Sequence, residues 1–419
     1  MIHSQLAGPS NIGEILQSFL LSESNLILQN NLRKNSLYLF LARASAQLLA
    51  LLFTAIIARK LSIEDFGHFA FIASMIYIGN TFTNFGTDTL LIRETSRANK
   101  ITQLATQALT LQILFSLMYC VTMLALRDTS LFIYSLALFP LTVFSVNNAL
   151  LRAFGRMDIF SFLSFGNGVM QVVVALLIKD ILHLCFYLLI GQFLLSIISF
   201  LICRASLPDF NLFPLSDFSP IFKLTLPFAS LTILLVLIQR LGIILVSTLL
   251  DETATGFFSS IVRVVEGLKL GHYAILGALL PILSRGGENA KQSFRKAFLF
   301  LMIASFCFVI ALLIFARPIM YILYGNNFAQ MPPQLSLLAW SLLPYTVSSF
   351  ISYALIANGH ESTIAKSAFF SLIVYFFLYI LLIPIYGITG AVWSTLIGEF
   401  LQMIIFIMFY IRRDKGISK

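Results

Sequence analysis

Six charged side chains lie well inside long apolar runs of this chain: Arg43, Arg240, Arg263, Glu266, Lys269 and Glu399. A charge held deep in hydrocarbon costs roughly 2.5–3.5 kcal/mol on insertion scales, so such residues face protein or a water-filled cavity. Four are cations and two are anions. An arginine offers a planar fork of donors that suits a phosphate-type anion bidentately. A buried carboxylate is the residue type that takes up a proton or a cation during transport. At about 100° per residue, Arg263, Glu266 and Lys269 fall at roughly 0°, 300° and 240° on one helix, so that face must avoid lipid. The i, i+3 spacing on both sides lets Glu266 reach either Arg263 or Lys269. Glu399 is then expected to pair with Arg43 or Arg240. Two cations are left without an acid, a surplus that would line a cationic cavity. Mutual neutralisation that merely lets the helices insert is the competing reading.

No other constellation points to chemistry. There is no GxxxxGK[ST] loop, so ATP is not bound in that way, and no cofactor or catalytic residue is indicated. The five histidines are too dispersed for a metal site, and His272, the one at depth beside charges, reads as a packed side chain. Cys120, Cys185, Cys203 and Cys307 form no CxxC pair, so neither a metal nor a disulfide framework is implied. The chain does not read as an enzyme.

The elements that must position these charges are apolar spans. Of 419 residues, 59% are hydrophobic and 11% charged, and 41 are Phe; an average soluble domain carries about 25% charged residues. A spanning helix needs about 20 mostly apolar residues, and twelve segments qualify: 36–58, 66–85, 102–125, 130–150, 158–178, 182–202, 222–250, 256–282, 296–316, 333–357, 363–383 and 388–411. The fold class expected is an all-α integral membrane protein. Residues 1–35 precede the first span and look like no signal peptide. Residues 36–202 form one six-helix half and 222–411 the other. The segment 203–221, with Pro208, Pro214 and Pro220, links them, and 412–419 is a tail. The net charge of +9 is no nucleic-acid signal, because the basic residues sit in short gaps between spans. Eighteen of the 27 Lys and Arg fall on the side of the termini, five on the other side and four within spans. That bias places both termini in the cytoplasm.

The halves echo each other. Gly67 aligns with Gly256, Gly86 with Gly277, and LeuArgAlaPheGlyArg (151–156) with LeuIleAlaAsnGlyHis (355–360). Internal duplication is common among secondary transporters.

Several stretches carry a family resemblance. They are AlaArgLysLeuSerIleGluAspPheGlyHisPheAlaPhe (58–71), AsnPheGlyThrAspThrLeuLeuIleArgGlu (84–94), TyrGlyAsnAsnPhe (324–328), AlaAsnGlyHis (357–360) and IleProIleTyrGlyIleThrGlyAlaValTrp (383–393). In this order, at span ends, they resemble Wzx-type O-antigen and capsule repeat-unit flippases of the multidrug/oligosaccharidyl-lipid/polysaccharide exporter superfamily, over roughly residues 35–411. The resemblance implies two six-helix bundles in a V around a central cavity. It implies an undecaprenyl-pyrophosphate-linked oligosaccharide as substrate, moved between leaflets of the bacterial inner membrane for O-antigen, lipopolysaccharide or capsule synthesis. Membrane lipids, a polysaccharide polymerase and chain-length proteins are the implied partners. On this reading Arg43, Arg240, Arg263 and Lys269 meet the pyrophosphate, and Glu266 or Glu399 couples an ion. Where relatives often carry Asp-Arg, this chain has Gln239-Arg240, which removes an acid from that spot. The alternative is a drug/cation antiporter of the MATE type, which wants acids in its cavity. A fourteen-helix lipid II flippase, a glycosyltransferase or polymerase with a large outer loop, and a major-facilitator transporter fit less well.

Overall fold

The computed structural model describes residues 38–417 apart from 39, 40, 43, 95–100, 208–217 and 286–287. Among the described residues every regular element is helical. In chain order they are α1 (44–60), α2 (Ile63–Asn84), α3 (Thr87–Glu94), α4 (Ile101–Ala125), α5 (Thr129–Ser135), α6 (Leu138–Ala153), α7 (Met157–Leu177) and α8 (Ile181–Ser206). There follow α9 (Ser219–Leu249), α10 (Glu252–Arg285), α11 (Glu288–Tyr324), α12 (Pro332–Ala339), α13 (Leu342–Ala357) and α14 (Glu361–Ile417). Among the described residues eight segments are long and apolar enough to cross a membrane by length and composition. One of them is a hairpin: α14 reverses at Gly387, at φ 58° and ψ −135°. Beyond the turn Ser394 donates back to the Leu378 carbonyl at 3.0 Å, and the Tyr379 and Thr395 hydroxyls lie 2.9 Å apart. With α14 taken as two legs, and α5/α6 and α12/α13 as one interrupted leg each, the fold agrees with the expected set of about twelve spans.

The legs alternate between two ends. The turns at 61–62, 126–128, 178–180 and 250–251 share one end, and each opens its next helix with a side-chain cap. Ser62 accepts from the Asp65 N–H at 3.0 Å, Asp128 from Leu131 at 3.0 Å, Asp180 from His183 at 2.8 Å and Asp251 from Ala254 at 2.6 Å. A cap satisfies a helix N–H that would otherwise lack an acceptor, which lets turns of two or three residues suffice. At Asp180 the His183 backbone N–H, and then its ring, hold the exposed carboxyl below the ordinary carboxylate range.

The duplication is written in backbone geometry. The fourth leg breaks at Leu136–Ala137 and its counterpart at Trp340–Ser341. Both counterparts then end alike. Phe154 and Asn358 have φ/ψ of −84°/5° and −95°/8°, followed by Gly155 and Gly359 at φ 71° and 72°. Even the closing hydrogen bonds correspond: Arg156 N–H to Leu151 carbonyl, and His360 N–H to Leu355 carbonyl. Positive φ at the turn is the reason both copies keep glycine there.

The halves join through α2, which lies along α9 and α10. It meets α10 near the Ser62 end, where a Cβ on Gly67 would collide with the Glu252 carbonyl oxygen and one on Gly256 with that of Ile63. Near its other end Gly86 (φ 73°) presses on Phe228 and Ala229 of α9, and Phe85 stacks on Phe222 at 5.2 Å. Along α10, Gly256, Arg263, Gly267 and Gly271 share one side, at about 20°, 0°, 40° and 80°. The first is packed against α2. At Gly267 and Gly271 an added Cβ would meet nothing within 4 Å, and Gly271 is exposed. Among the described residues α2 and α10 therefore part from a closed Ser62 end into a cleft beside Gly267 and Gly271, the opening of the V, while α2 stays packed on α9 at its other end.

Candidate functional site

The charges gather where the V begins to open. Three of them form one cluster: Glu266 on α10 holds Arg240 of α9 with one oxygen, at 3.3 Å from Nη1, and Arg263 with the other, at 3.4 Å from Nη1. Arg240 is 6% exposed, and its guanidinium lies over the Tyr77 ring of α2, 4.7 Å from the centroid. Tyr77 itself is 44% exposed, on the α2 face turned to the cleft. Two cations thus share one carboxylate. Among the described residues Nε and Nη1 of Arg240 have no hydrogen-bond acceptor, because the Glu266 contact lacks hydrogen-bond geometry. Arg263 and Glu266 are half-buried and reach the cleft. A buried guanidinium with unmade hydrogen bonds beside an accessible one has donors that an oxyanion could satisfy, and an unsatisfied buried donor costs about 1–3 kcal/mol.

The remaining charges form a separate pair inside the second half. Lys269 donates to Glu399 Oε1 at 2.6 Å and sits 4.2 Å from the centroid of the Tyr345 ring. Glu399 is 7% exposed, and its Oε2 has no partner among the described residues. His272, one turn on, is buried between Ser305 Oγ at 3.0 Å and Thr346 Oγ1 at 2.8 Å. It is a packed histidine, held by hydroxyls of two other helices.

Two expected pairings are therefore corrected. Glu266 takes Arg240 as its second partner and not Lys269. Among the described residues Glu399 takes Lys269 and not Arg240. The reason is azimuth: Lys269, about 60° further round than Glu266, points at α13 and α14, whereas Glu266 faces α9. Arg43 lies outside the described residues. Among the described residues the surplus, one positive charge, sits on the Arg240–Arg263 pair that shares Glu266. The buried amide of Asn147 on α6 donates to Ser199 Oγ of α8 at 2.9 Å. Tyr77 was not legible as part of the site. It lies about 80° round α2 from Gly67, on the side that meets α9.

Comparison with known proteins decides the family. The profile described as "Polysaccharide biosynthesis protein" matches residues 32–287. The chain belongs to the polysaccharide biosynthesis protein family. The capsular polysaccharide biosynthesis protein CapF of Staphylococcus aureus is 26% identical over 203 residues, 47% of this chain. That alignment spans about half of CapF, 51% of its length. Among solved structures, the lipid II flippase MurJ in its inward closed conformation superposes with a TM-score of 0.76 at 15% identity, over 88% of this chain and 87% of MurJ. A multidrug-resistance MATE family transporter of the MOP superfamily, in its inward-facing conformation, gives 0.71 at 14% identity, over 89% and 95%. These likenesses establish a shared fold, the V of two helical bundles.

The stretches that carry the family resemblance prove to be joints. In 84–94, Asn84 donates to Ser145 Oγ at 2.8 Å, Ser145 donates to Asp88 at 2.8 Å, and Arg152 closes on Asp88 at 3.3 Å. In 324–328, the fully buried Phe328 packs edge-on against Phe66 at 5.7 Å and Phe257 at 5.6 Å, tying the two halves. The 383–393 stretch makes the hairpin of α14. Each of these stretches holds a joint between helices of the fold.

Proposed function

We propose that this chain is a flippase that moves undecaprenyl-pyrophosphate-linked oligosaccharide repeat units from the cytoplasmic to the outer leaflet, for O-antigen or capsule synthesis. The observation that carries the reading is the Arg240–Glu266–Arg263 cluster at the head of the cleft. A pyrophosphate diester must lose water to cross, and two guanidiniums sharing one carboxylate can trade that carboxylate for phosphate oxygens. Charge-assisted bonds of this kind are about twice as strong as neutral ones. The polyprenyl tail stays in lipid while the head group occupies the cleft. An organic-cation antiporter would want free acids there, and both Glu266 and Glu399 stand within ion-pair reach of a cation. Lys269 and Glu399 sit one helix face away and serve as the candidate coupling pair. Deleting the gene is expected to leave lipid-linked repeat units accumulating in the cytoplasmic leaflet while surface polysaccharide disappears. Their absence from extracted lipids would contradict the assignment.

On this reading the Ser62 end faces outward, both termini are cytoplasmic, the protein sits in the inner membrane, and a polymerase and chain-length proteins act on its product. Reporter fusions at 128, 180 and 253 should read outside, and those at 98, 155, 212, 288 and 361 inside. A reversed signal at any two sites would break this topology.

A further inference from the structure

If phosphate oxygens replace the Glu266 carboxylate on the two guanidiniums, as proposed above, the released carboxylate needs another donor. An ionised group buried without a partner is strongly unfavourable. The cations around it are all engaged. Arg240 and Arg263 would be on the head group, and Lys269 is on Glu399 at 2.6 Å. Tyr77 has its ring beneath the Arg240 guanidinium.

One donor remains. Four rings close the Ser62 end beside the cluster: Phe66 of α2, Phe257 of α10, Tyr324 at the end of α11, and Phe328 just beyond it. Tyr324 lies 6.4 Å from Phe66 and 5.4 Å from Phe328, and Phe328 lies 5.6 Å from Phe257, centroid to centroid. Tyr324 is 1% exposed, and its hydroxyl has no hydrogen-bond partner among the described residues. The charged groups that act on that hydroxyl are Arg263 and Glu266. The ring thus belongs to the seal, while the hydroxyl lies in the field of the cluster. Phenylalanine would fill the same space, as it does at the other three positions, without leaving a buried polar group unmade. The direction also fits. Side chains on a helix lean toward its N-terminus, and α10 begins at the Ser62 end. Glu266 therefore leans past Arg263 toward the rings.

We propose that the Tyr324 hydroxyl receives the Glu266 carboxylate when an anionic head group displaces it from Arg240 and Arg263. The phenol donates its O–H to one carboxylate oxygen. That charge-assisted bond replaces ion-pair contacts of 3.3 and 3.4 Å. No proton is transferred, so the phenol stays neutral and Glu266 stays ionised. The exchange selects for charge, because a neutral sugar cannot displace a carboxylate from two guanidiniums. Tyr324 is a positioning residue: it acts through Glu266 and does not touch the substrate.

The test uses the purified full-length protein in detergent, with inorganic pyrophosphate as the probe and Tm as the readout. Pyrophosphate should raise the Tm of the wild type, and Arg240→Ala should abolish that rise. Without the anion, Tyr324→Phe should melt no lower than the wild type, since it removes an unmade hydroxyl. It should need about tenfold more pyrophosphate for the same rise, the scale of one hydrogen bond to a charged group. Export at matched protein level should fall severalfold. In a Glu266→Gln background, Tyr324→Phe should change the pyrophosphate requirement no further. A ring that only packs the seal gives another pattern, an unchanged pyrophosphate requirement with full export at matched protein level, and that result would overturn the proposal. An equal effect of Tyr324→Phe in both Glu266 backgrounds would overturn it too. Should Tyr324→Phe fold poorly, the near-ultraviolet difference spectrum decides. Pyrophosphate should bring up the red-shifted band of a tyrosine bound to a carboxylate in the wild type and not in Glu266→Gln, and its absence from the wild type refutes the exchange. If pyrophosphate gives the wild type no rise in Tm, the anion reading of the cluster fails and Tyr324 loses its role with it. If the rise depends on Arg240 and not on Tyr324, that reading stands and the role of Tyr324 alone is refuted.

Discussion

Arg240→Ala is expected to lower surface polysaccharide by about tenfold to a hundredfold at matched protein levels, the range for losing hydrogen bonds to a charged group. Among the described residues Arg240 is the most enclosed of the cations in the cleft, and its fork has buried donors left unmade while already held in place by Tyr77 and Glu266. Removing it leaves one carboxylate facing one cation, so the cluster loses its surplus charge and Glu266 no longer has a reason to yield to phosphate. Lysine should restore part of the function, since it keeps the charge but not the planar fork. Arg263→Ala should cost less, because that side chain is half-exposed and keeps much of its hydration. The measurement is surface polysaccharide scored against immunoblotted protein. Wild-type output from the alanine variants of Arg43, Arg240 and Arg263 together would sink the cationic cavity. Glu266→Gln separates two roles for the acid: it abolishes export if the carboxylate must change partners, and leaves it intact if the carboxylate only neutralises the helix.

Glu399→Ala is expected to destabilise the protein by about 3–5 kcal/mol, the cost of stranding one member of a buried ion pair. Lys269 would keep its ammonium over the Tyr345 ring but lose the oxygen 2.6 Å away, deep in the second half. A detergent melting curve should show a fall in Tm and a lower yield. The double variant Lys269→Met/Glu399→Leu should recover most of that loss, because a packed apolar pair avoids the desolvation that the ions pay. Export by the recovered double variant then has two meanings. Full export marks the pair as structural, and lost export at restored stability marks it as the coupling site. A double variant no more stable than Glu399→Ala would show that the pair is not an isolated unit.

The closed end deserves to be seen beside these charges. Arg240 rests on Tyr77, a residue of the other half. On the flippase reading, a head group that drew Arg240 off the Tyr77 ring would remove one of the contacts that hold the halves together.

Much of this protein was written in local sequence. Apolar run lengths marked the spans, since a helix must be long enough to cross hydrocarbon and must satisfy its own backbone. The matched stretches around Gly155 and Gly359 marked equivalent helix ends of the two halves, because positive φ depends on neighbours in the chain, whereas the caps at Ser62, Asp128, Asp180 and Asp251 emerged with the structure. The census of buried charges, with its excess of cations, was also legible, as was the shared face of Arg263 and Glu266. Pairing was not. Spacing places a residue on a helix face, but it does not say which helix that face meets. Glu266 found Arg240 and Lys269 found Glu399 because α9 and α14 flank α10 on different sides, an arrangement set by packing among distant segments. The same holds for Tyr77 beneath Arg240 and for the glycines of α10, packed at Gly256 and open at Gly267. Helical periodicity follows from the chain alone, whereas the neighbour across each face is decided when the bundles pack.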